Sequence, residues 1–271
     1  MTRHQTFHDL HQSGCFLMPN PWDIGTARLM AALGAKALAT SSSAHAFTLG
    51  RLDMQVTRDE ALTHAQMIVA ATPLPVSGDF EAGFSDTPDG TAETIRRAAE
   101  VGLSGCSIED TNPNGPSAYD FDLAVEKVRA AASAARALNQ PFILCARADG
   151  VMNGFYDLAE GIRRLLAFQS AGADLLYLPI PPGLAELKQV LAAVQKPINA
   201  LAAGPLTNLT VAELAAIGVR RISLGSQLAR AAQSAVVTAA KAMLQDGSFL
   251  PLKTNLPGTQ IDALLLKGSP T

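Results

Sequence analysis

The chain has 271 residues, of which 48% are hydrophobic and 17% are charged, and its formal net charge is −3. This apolar content is enough for a large core and excludes an intrinsically disordered chain. The slightly acidic balance, without any run of Lys or Arg, argues against a nucleic-acid partner, and no apolar run is long enough to cross a membrane. Three cysteines without zinc-site spacing and a polar N-terminus predict a cytoplasmic protein with reduced thiols.

Short apolar runs alternate with Ala-rich stretches along the chain. The runs predicted as strands are residues 16–19, 37–42, 75–81, 105–110, 142–149, 175–179, 197–202 and 221–225. The stretches predicted as helices are residues 25–33, 58–71, 90–101, 123–138, 156–171, 183–194, 211–217 and 227–244. This alternation predicts parallel strands, and the number of units predicts a (β/α)₈ TIM barrel formed by residues 1–248. An open doubly wound sheet is disfavoured, because no glycine-rich phosphate turn follows the first strand.

A surplus segment, residues 249–271, follows the complete barrel. Within it, Ile261, Leu264 and Leu265 form an apolar stripe at helical spacing. A finished barrel does not need such a stripe. We therefore expect this C-terminal tail to pack on a partner subunit, in a homodimer or a homotetramer.

Carboxylates close the third and fourth predicted strands. Asp79 and Glu81 lie one residue apart, so on a strand their side chains are expected to point to the same face. Glu109 closes the next strand and would face the same cavity. Oxygen ligands at the mouth of a barrel suit Mg²⁺, for which Mn²⁺ can substitute. The alternatives are helix capping and solvation for the first two acids, and a salt bridge inside the barrel for Glu109.

An arginine and a group of serines complete the predicted site. Arg147 ends the fifth strand, where its planar guanidinium is suited to clamp a substrate carboxylate, although it could also neutralise the acids. Hydroxyl and N–H groups that can bind an anion follow the second strand, at Ser41, Ser42 and Ser43. Asp53 is predicted to hold the water shell of the metal or to fix its own loop.

A phosphate site is a minor alternative for the loops after the last two strands. Gly204, Gly225 and Ser226 stand at the positions where such sites form in barrels. Arg230 is the one charged residue near these glycines that could bind a phosphate. A phosphorylated substrate is therefore less favoured than a carboxylic acid.

These motifs resemble those of the isocitrate lyase/phosphoenolpyruvate mutase superfamily over residues 20–226. The most specific are the serine-rich end of the second strand with Asp53, the D-x-[DE]-x-G of residues 79–83, the strand that ends in Glu109, and Arg147. The resemblance implies a barrel whose last helix swaps between subunits, and Mg²⁺ surrounded by Asp79, Glu81 and Glu109. It also implies that a 2-oxo acid or its enolate is held by Ser41, Ser42, Ser43 and Arg147.

The chain departs from the lyases of that superfamily in the residues that select the reaction. Their K-[KR]-C-G-H loop is replaced by residues 111–119, which contain no Cys, Lys or His. Their glutamate after the sixth strand falls near Pro179, and their Asn-x-Thr falls on residues 201–203. The metal and 2-oxo acid core is retained, whereas the acid/base group is not.

The sequence as a whole predicts a Mg²⁺-dependent lyase or decarboxylase that cleaves a C–C bond of a small, oxaloacetate-like 2-oxo acid through a metal-stabilised enolate. Arg147, Glu109 and Asp53 are the candidate catalytic residues. One alternative is C–P chemistry of the phosphonopyruvate hydrolase or phosphoenolpyruvate mutase type. Another is a non-catalytic protein that binds 2-oxo acids.

Overall fold

All eight predicted strands form, and they pair in parallel as a nearly closed (β/α)₈ barrel in the computed structural model, which describes residues 1–270. Their order around the barrel is β1-β8-β7-β6-β5-β4-β3-β2. The N–H of Ala39 donates to the carbonyl of Pro19 (3.0 Å), which connects the two ends of the sheet. The strands are Phe16–Met18 (β1), Leu38–Ala39 (β2), Val76–Asp79 (β3), Gly105–Glu109 (β4), Ile143–Arg147 (β5), Leu175–Tyr177 (β6), Ile198–Leu201 (β7) and Arg221–Ser223 (β8).

Helices cover the outside of the barrel, and several begin at sequence signals. Thr57 and Thr210 each form a capping box with a glutamate three residues later, which fixes the starts of α4 and α10. The helices are Arg3–Leu10 (α1), Ile24–Ala32 (α2), Ser42–Thr48 (α3), Arg58–Ala71 (α4), Pro88–Glu100 (α5), Phe121–Arg136 (α6), Gly150–Asn153 (α7), Leu158–Ser170 (α8), Leu184–Ala193 (α9), Val211–Ala216 (α10), Gln227–Asp246 (α11) and Gly258–Lys267 (α12). Two short 3₁₀ helices occupy Gly204–Asn208 and Leu250–Thr254.

Helices α1, α3 and α7 were not predicted. Phe7 is the only buried residue of α1, so its sequence shows no apolar stripe. That side chain nevertheless packs with Phe16 and Cys145 in the core cluster inside the barrel, so α1 contributes to the barrel interior.

The last two helices differ in how they contact the barrel. Only Ala229 of the 20 residues of α11 is buried, whereas α12 packs against α2 of its own chain. The stripe of Ile261, Leu264 and Leu265 is half-buried there. Packing of the tail on a partner subunit concerns an assembly and stays a prediction, and Thr271 lies outside the described residues. None of the helices within residues 1–270 is long and apolar enough to span a membrane.

Candidate active site

A pocket of about 220 Å³ opens at the C-terminal ends of the strands, where barrel enzymes carry their active sites. Its wall contains most of the residues predicted from the sequence, contributed by the loop after β2 and by β3 and β5. Side chains from β6, β7 and β8 form the rest of the wall. The predicted residues that line it are Ser41, Ser42, Ser43, Asp53, Asp79 and Arg147.

Asp79 lies at the centre of the predicted acidic group. Its backbone N–H donates to Thr40 Oγ1 (2.9 Å), and the N–H of Ser42 donates to its Oδ2 (3.0 Å). These bonds tie the serine-rich loop to the end of β3. The third contact comes from Arg147, whose Nη1 donates to Asp79 Oδ1 (2.8 Å). The carboxylate therefore has a fixed orientation at the pocket wall.

Arg147 pairs with three carboxylates. Besides Asp79, its Nη2 contacts Glu109 Oε2 (2.9 Å) and Asp149 Oδ2 (2.5 Å), and its Nε donates to Asp149 Oδ1 (3.2 Å). Burial raises the pKa of Glu109 well above its ordinary value and also raises the pKa of Asp149, while the guanidinium opposes both shifts. The structure thus shows the neutralising role of Arg147, and its role as a substrate clamp stays a prediction.

Glu81 does not continue the alternation of the strand. β3 ends at Asp79, and Glu81 has a φ of +47°, so its side chain enters a small neighbouring cavity with His45 and His64 and not the main pocket. The expectation that Asp79 and Glu81 lie on one strand face is therefore corrected, whereas both residues line the small cavity and Asp79 alone also lines the main pocket. Glu81 Oε1 is buried and has no hydrogen-bond partner.

The acids carry more negative charge than the nearby cation offsets. Burial, followed by repulsion from Asp79 and Asp53, raises the pKa of Glu81 to about 8. Burial and the charge of Asp79 also raise the pKa of Asp53. Burial is the main cause of both shifts, and the neighbouring carboxylates add to it.

A divalent cation fits this donor set chemically. Within residues 1–270, no three His, Cys, Asp or Glu side chains already converge as a metal site. Asp79 and Glu81 line the same small cavity with hard oxygen donors, Glu109 lines neither space, and Glu81 Oε1 is a buried acceptor without a donor. A cation would satisfy that oxygen and relieve the repulsion that raises the carboxyl pKa values.

The acid that follows β4, Asp110, has a structural role. Asp110 is buried and accepts hydrogen bonds from Tyr156 (2.8 Å) and from Arg164 Nη1 (3.0 Å). It also accepts the backbone N–H of Asp149 (2.9 Å), so it holds the segment that carries the partner of Arg147.

The loop after β4 is held by Asp86. Tyr119 donates to Asp86 Oδ1 (2.5 Å), and Asn114 Nδ2 donates to Asp86 Oδ2 (2.9 Å). The ammonium of Lys127 lies 3.7 Å from the centre of the Tyr119 ring and donates to the carbonyl of Ser85 (2.7 Å). None of these residues lines the main pocket, and the pocket wall contains no histidine, cysteine or lysine.

Sequence reasoning missed the polar group on the other half of the barrel. Arg221 Nε donates to Asn199 Oδ1 (2.7 Å), and Asn199 Nδ2 donates to Ser223 Oγ (2.9 Å). Arg221 and Ser223 line the pocket with Tyr177. The alternation of residues along β8 was the available signal, because it places Arg221 and Ser223 on one face.

Comparison with known proteins finds similar sequences and structures among lyases, decarboxylases and mutases. The family model described as phosphoenolpyruvate phosphomutase matches residues 7–244. A solved structure from Burkholderia cenocepacia, assigned as a lyase or mutase, is 45% identical with a TM-score of 0.91 over 96% of this chain and 94% of that chain. An uncharacterised protein of Mycobacterium tuberculosis is 32% identical over 96% of both chains. The oxaloacetate decarboxylase of Paraburkholderia xenovorans is 30% identical over 94% of this chain and 85% of that protein.

Proposed function

This chain belongs to the isocitrate lyase/phosphoenolpyruvate mutase superfamily, and we propose that it is a Mg²⁺-dependent enzyme that cleaves a C–C bond of an oxaloacetate-like 2-oxo acid. The observation that carries the proposal is the excess of carboxylates around Arg147 at the mouth of the barrel. Asp79, Glu81 and Glu109 would hold the metal there. When bound, Mg²⁺ polarises the 2-oxo group and stabilises the negative charge that develops as the bond breaks.

The residues of the chain position the substrate and the acids. Arg147 keeps Asp79 and Glu109 oriented by its ion pairs. The hydroxyl groups of Ser41 and Ser43 line the pocket and can donate to the carboxylate next to the 2-oxo group. Pro179, Ile180 and Leu201 form an apolar part of the wall, which would limit water at the reacting carbon.

The composition of the pocket wall favours decarboxylation among the possible C–C cleavages. The wall contains no His, Cys or Lys, so its possible proton donors and acceptors are limited to Tyr177 and the carboxylates. A leaving carboxylate departs as CO₂ and needs no general acid, whereas an aldol-type cleavage requires a base for the substrate hydroxyl. The similarity to an oxaloacetate decarboxylase supports the same choice.

C–P chemistry is the second candidate. The family description, phosphoenolpyruvate phosphomutase, and the presence of Gly225, Ser226 and Arg230 in the pocket wall favour it. A phosphonate would then replace the second carboxylate of the substrate. A protein that binds 2-oxo acids without turnover is the third.

The decisive experiment measures pyruvate release from oxaloacetate and from phosphonopyruvate, with Mg²⁺ and with a chelator. We expect Mg²⁺-dependent release from oxaloacetate, and its loss in Asp79→Asn while the circular dichroism spectrum is retained. Asp59→Asn, at an exposed carboxylate outside the pocket, is the matched control and should keep full activity. Pyruvate release that continues in the presence of the chelator contradicts the proposed metal dependence. Release from phosphonopyruvate alone establishes C–P chemistry, and binding without release establishes the non-catalytic protein.

A further inference from the structure

Arg221 is a buried cation without a counter-charge. Arg221 is 3% exposed and lines the pocket from β8. Among residues 1–270, no carboxylate lies within salt-bridge distance of its guanidinium. Nε donates to the neutral amide oxygen of Asn199, whereas Nη1 is buried and has no hydrogen-bond partner. The guanidinium, which also interacts with the thiol of Cys145, therefore keeps unused hydrogen-bonding capacity at Nη1 and has no carboxylate partner.

Such a charge is unfavourable in the folded chain alone. Burial lowers the pKa of Arg221, and the nearby charge of Arg147 acts in the same direction. An arginine stays protonated even so, because its pKa starts far above neutral. An unpaired buried charge is costly to a protein, and the cost disappears when an anion pairs with it.

The carboxylates at the other side of the pocket do not account for the buried charge of Arg221, because Arg147 neutralises them. Arg147 forms the ion pairs with Asp79, Glu109 and Asp149. It is also Arg147 whose charge lowers the pKa values of Glu109 and Asp149 against the effect of burial. Arg221 is on β8, which lies across the barrel from β4 and its Glu109.

The surroundings of Arg221 suit a small anion inside the pocket. Met18 and Leu201 line the same wall and are buried apolar residues, so an ion pair formed there is poorly screened by water. Asn199 is itself held by Ser223 and fixes one edge of the guanidinium. Two polar ends are thus present in one pocket, one at the acids of β3 to β5 and the other at β8.

We propose that Arg221 binds the carboxylate of the substrate that is remote from the 2-oxo group, and that it thereby selects dicarboxylic over monocarboxylic 2-oxo acids. This rests on the proposed function, which places the 2-oxo group at the acidic end. The guanidinium provides two parallel N–H donors that match a carboxylate. Asn199 is a positioning residue, since it orients the guanidinium without contact to the ligand.

The test compares two unreactive ligands that differ only at the remote group. L-Malate carries a carboxylate where 2-hydroxybutanoate carries a methyl group, and neither has the 2-oxo group needed for cleavage. Calorimetry with the full-length protein in Mg²⁺ should show tighter binding of malate by at least about tenfold. Arg221→Met should remove that preference and leave 2-hydroxybutanoate binding unchanged, while Arg221→Lys should keep part of it.

Asn199→Asp provides a second variant that retains Arg221. The new carboxylate would pair with the guanidinium, so the malate preference should fall although the arginine is still present. Retention of the preference in Arg221→Met, or in Asn199→Asp if the first variant does not fold, overturns the inference. So does the absence of any preference in the wild type.

Turnover separates this inference from the proposed function. The remote carboxylate of oxaloacetate loses its charge as CO₂ leaves, so an ion pair to it stabilises bound substrate more than the transition state. Arg221→Met should therefore raise KM and leave kcat unchanged or higher. An Arg221-dependent malate preference without oxaloacetate turnover supports the inference and contradicts the proposed reaction. Oxaloacetate turnover with an unchanged KM in Arg221→Met supports the proposed reaction and contradicts the role of Arg221.

Discussion

Replacement of Arg147 by methionine tests how the acidic end of the barrel is held together. The side chain is 13% exposed and is the shared partner of three buried or nearly buried carboxylates, Asp79, Glu109 and Asp149. Methionine fills much of the same space and removes the charge. The variant therefore keeps the packing and leaves the acids without their cation.

The magnitude follows from the burial of the pairs. Removing one partner of a buried ion pair costs about 3–5 kcal/mol, because the other charge stays buried and unpaired. Glu109 and Asp149 already have raised pKa values that Arg147 opposes, so in the variant they rise further. The folded variant then binds more protons than its unfolded chain, and its stability increases as the pH falls. With one proton taken up between pH 7.5 and pH 5.5, about 2–3 kcal/mol is recovered.

Urea unfolding followed by circular dichroism at pH 7.5 and pH 5.5 measures the free energy of unfolding of the wild type and of Arg147→Met. Arg163→Met is the surface control, because Arg163 is 55% exposed and pairs with Glu160, and it should cost less than about 1 kcal/mol. Arg221→Met should not destabilise the ligand-free protein, since Arg221 has no carboxylate partner. A loss below about 1 kcal/mol for Arg147→Met at pH 7.5 would refute the ion-pair reasoning.

Three further outcomes are expected elsewhere in the barrel. Burial lowers the pKa of His11 to about 3 from the ordinary 6.5, so the folded state binds fewer protons and stability falls as the pH drops between these values. The loss at pH 4.5 is about 2–3 kcal/mol, and His11→Gln should remove most of it in urea titrations at pH 7 and 4.5. Gly105→Ala should destabilise the fold by about 1–3 kcal/mol in thermal unfolding, because its Cβ would lie 2.5 Å from the carbonyl of Ile143. Removal of the chain after Phe249 should shift sedimentation towards monomers or aggregates, because residues 249–271 are predicted to pack on a partner subunit.

The barrel itself could be predicted because its periodicity is repeated. All eight strands lie within the predicted ranges, and α4 has the predicted bounds, Arg58–Ala71. The helix α3 was missed because Ser42–Thr48 begins within a run of three serines and has only seven residues, too few to show a periodic pattern. The helix α1 was missed because a single buried Phe7 gives no periodicity.

Site residues were predictable by position along the chain and less so by direction. A strand places alternate side chains on opposite faces only as far as the strand continues. The predicted strand was extended to Glu81, whereas the chain leaves β3 two residues earlier, after Asp79, and turns through a positive φ. The same alternation, applied to β8, would have placed Arg221 inside the barrel, but no side-chain direction was inferred for the residues of that strand.

The two halves of the pocket therefore carry different kinds of information. The half formed by β3, β4 and β5 holds the motifs shared with the superfamily, and its carboxylates with Arg147 are where the proposed metal and 2-oxo group would fit. The half formed by β6, β7 and β8 lacks two of the lyase motifs, and there Arg221 is buried without a carboxylate partner. In the proposed reaction, charge stabilisation would depend on the first half. Discrimination between substrates would depend on the second half, where Arg221 would pair with the remote carboxylate.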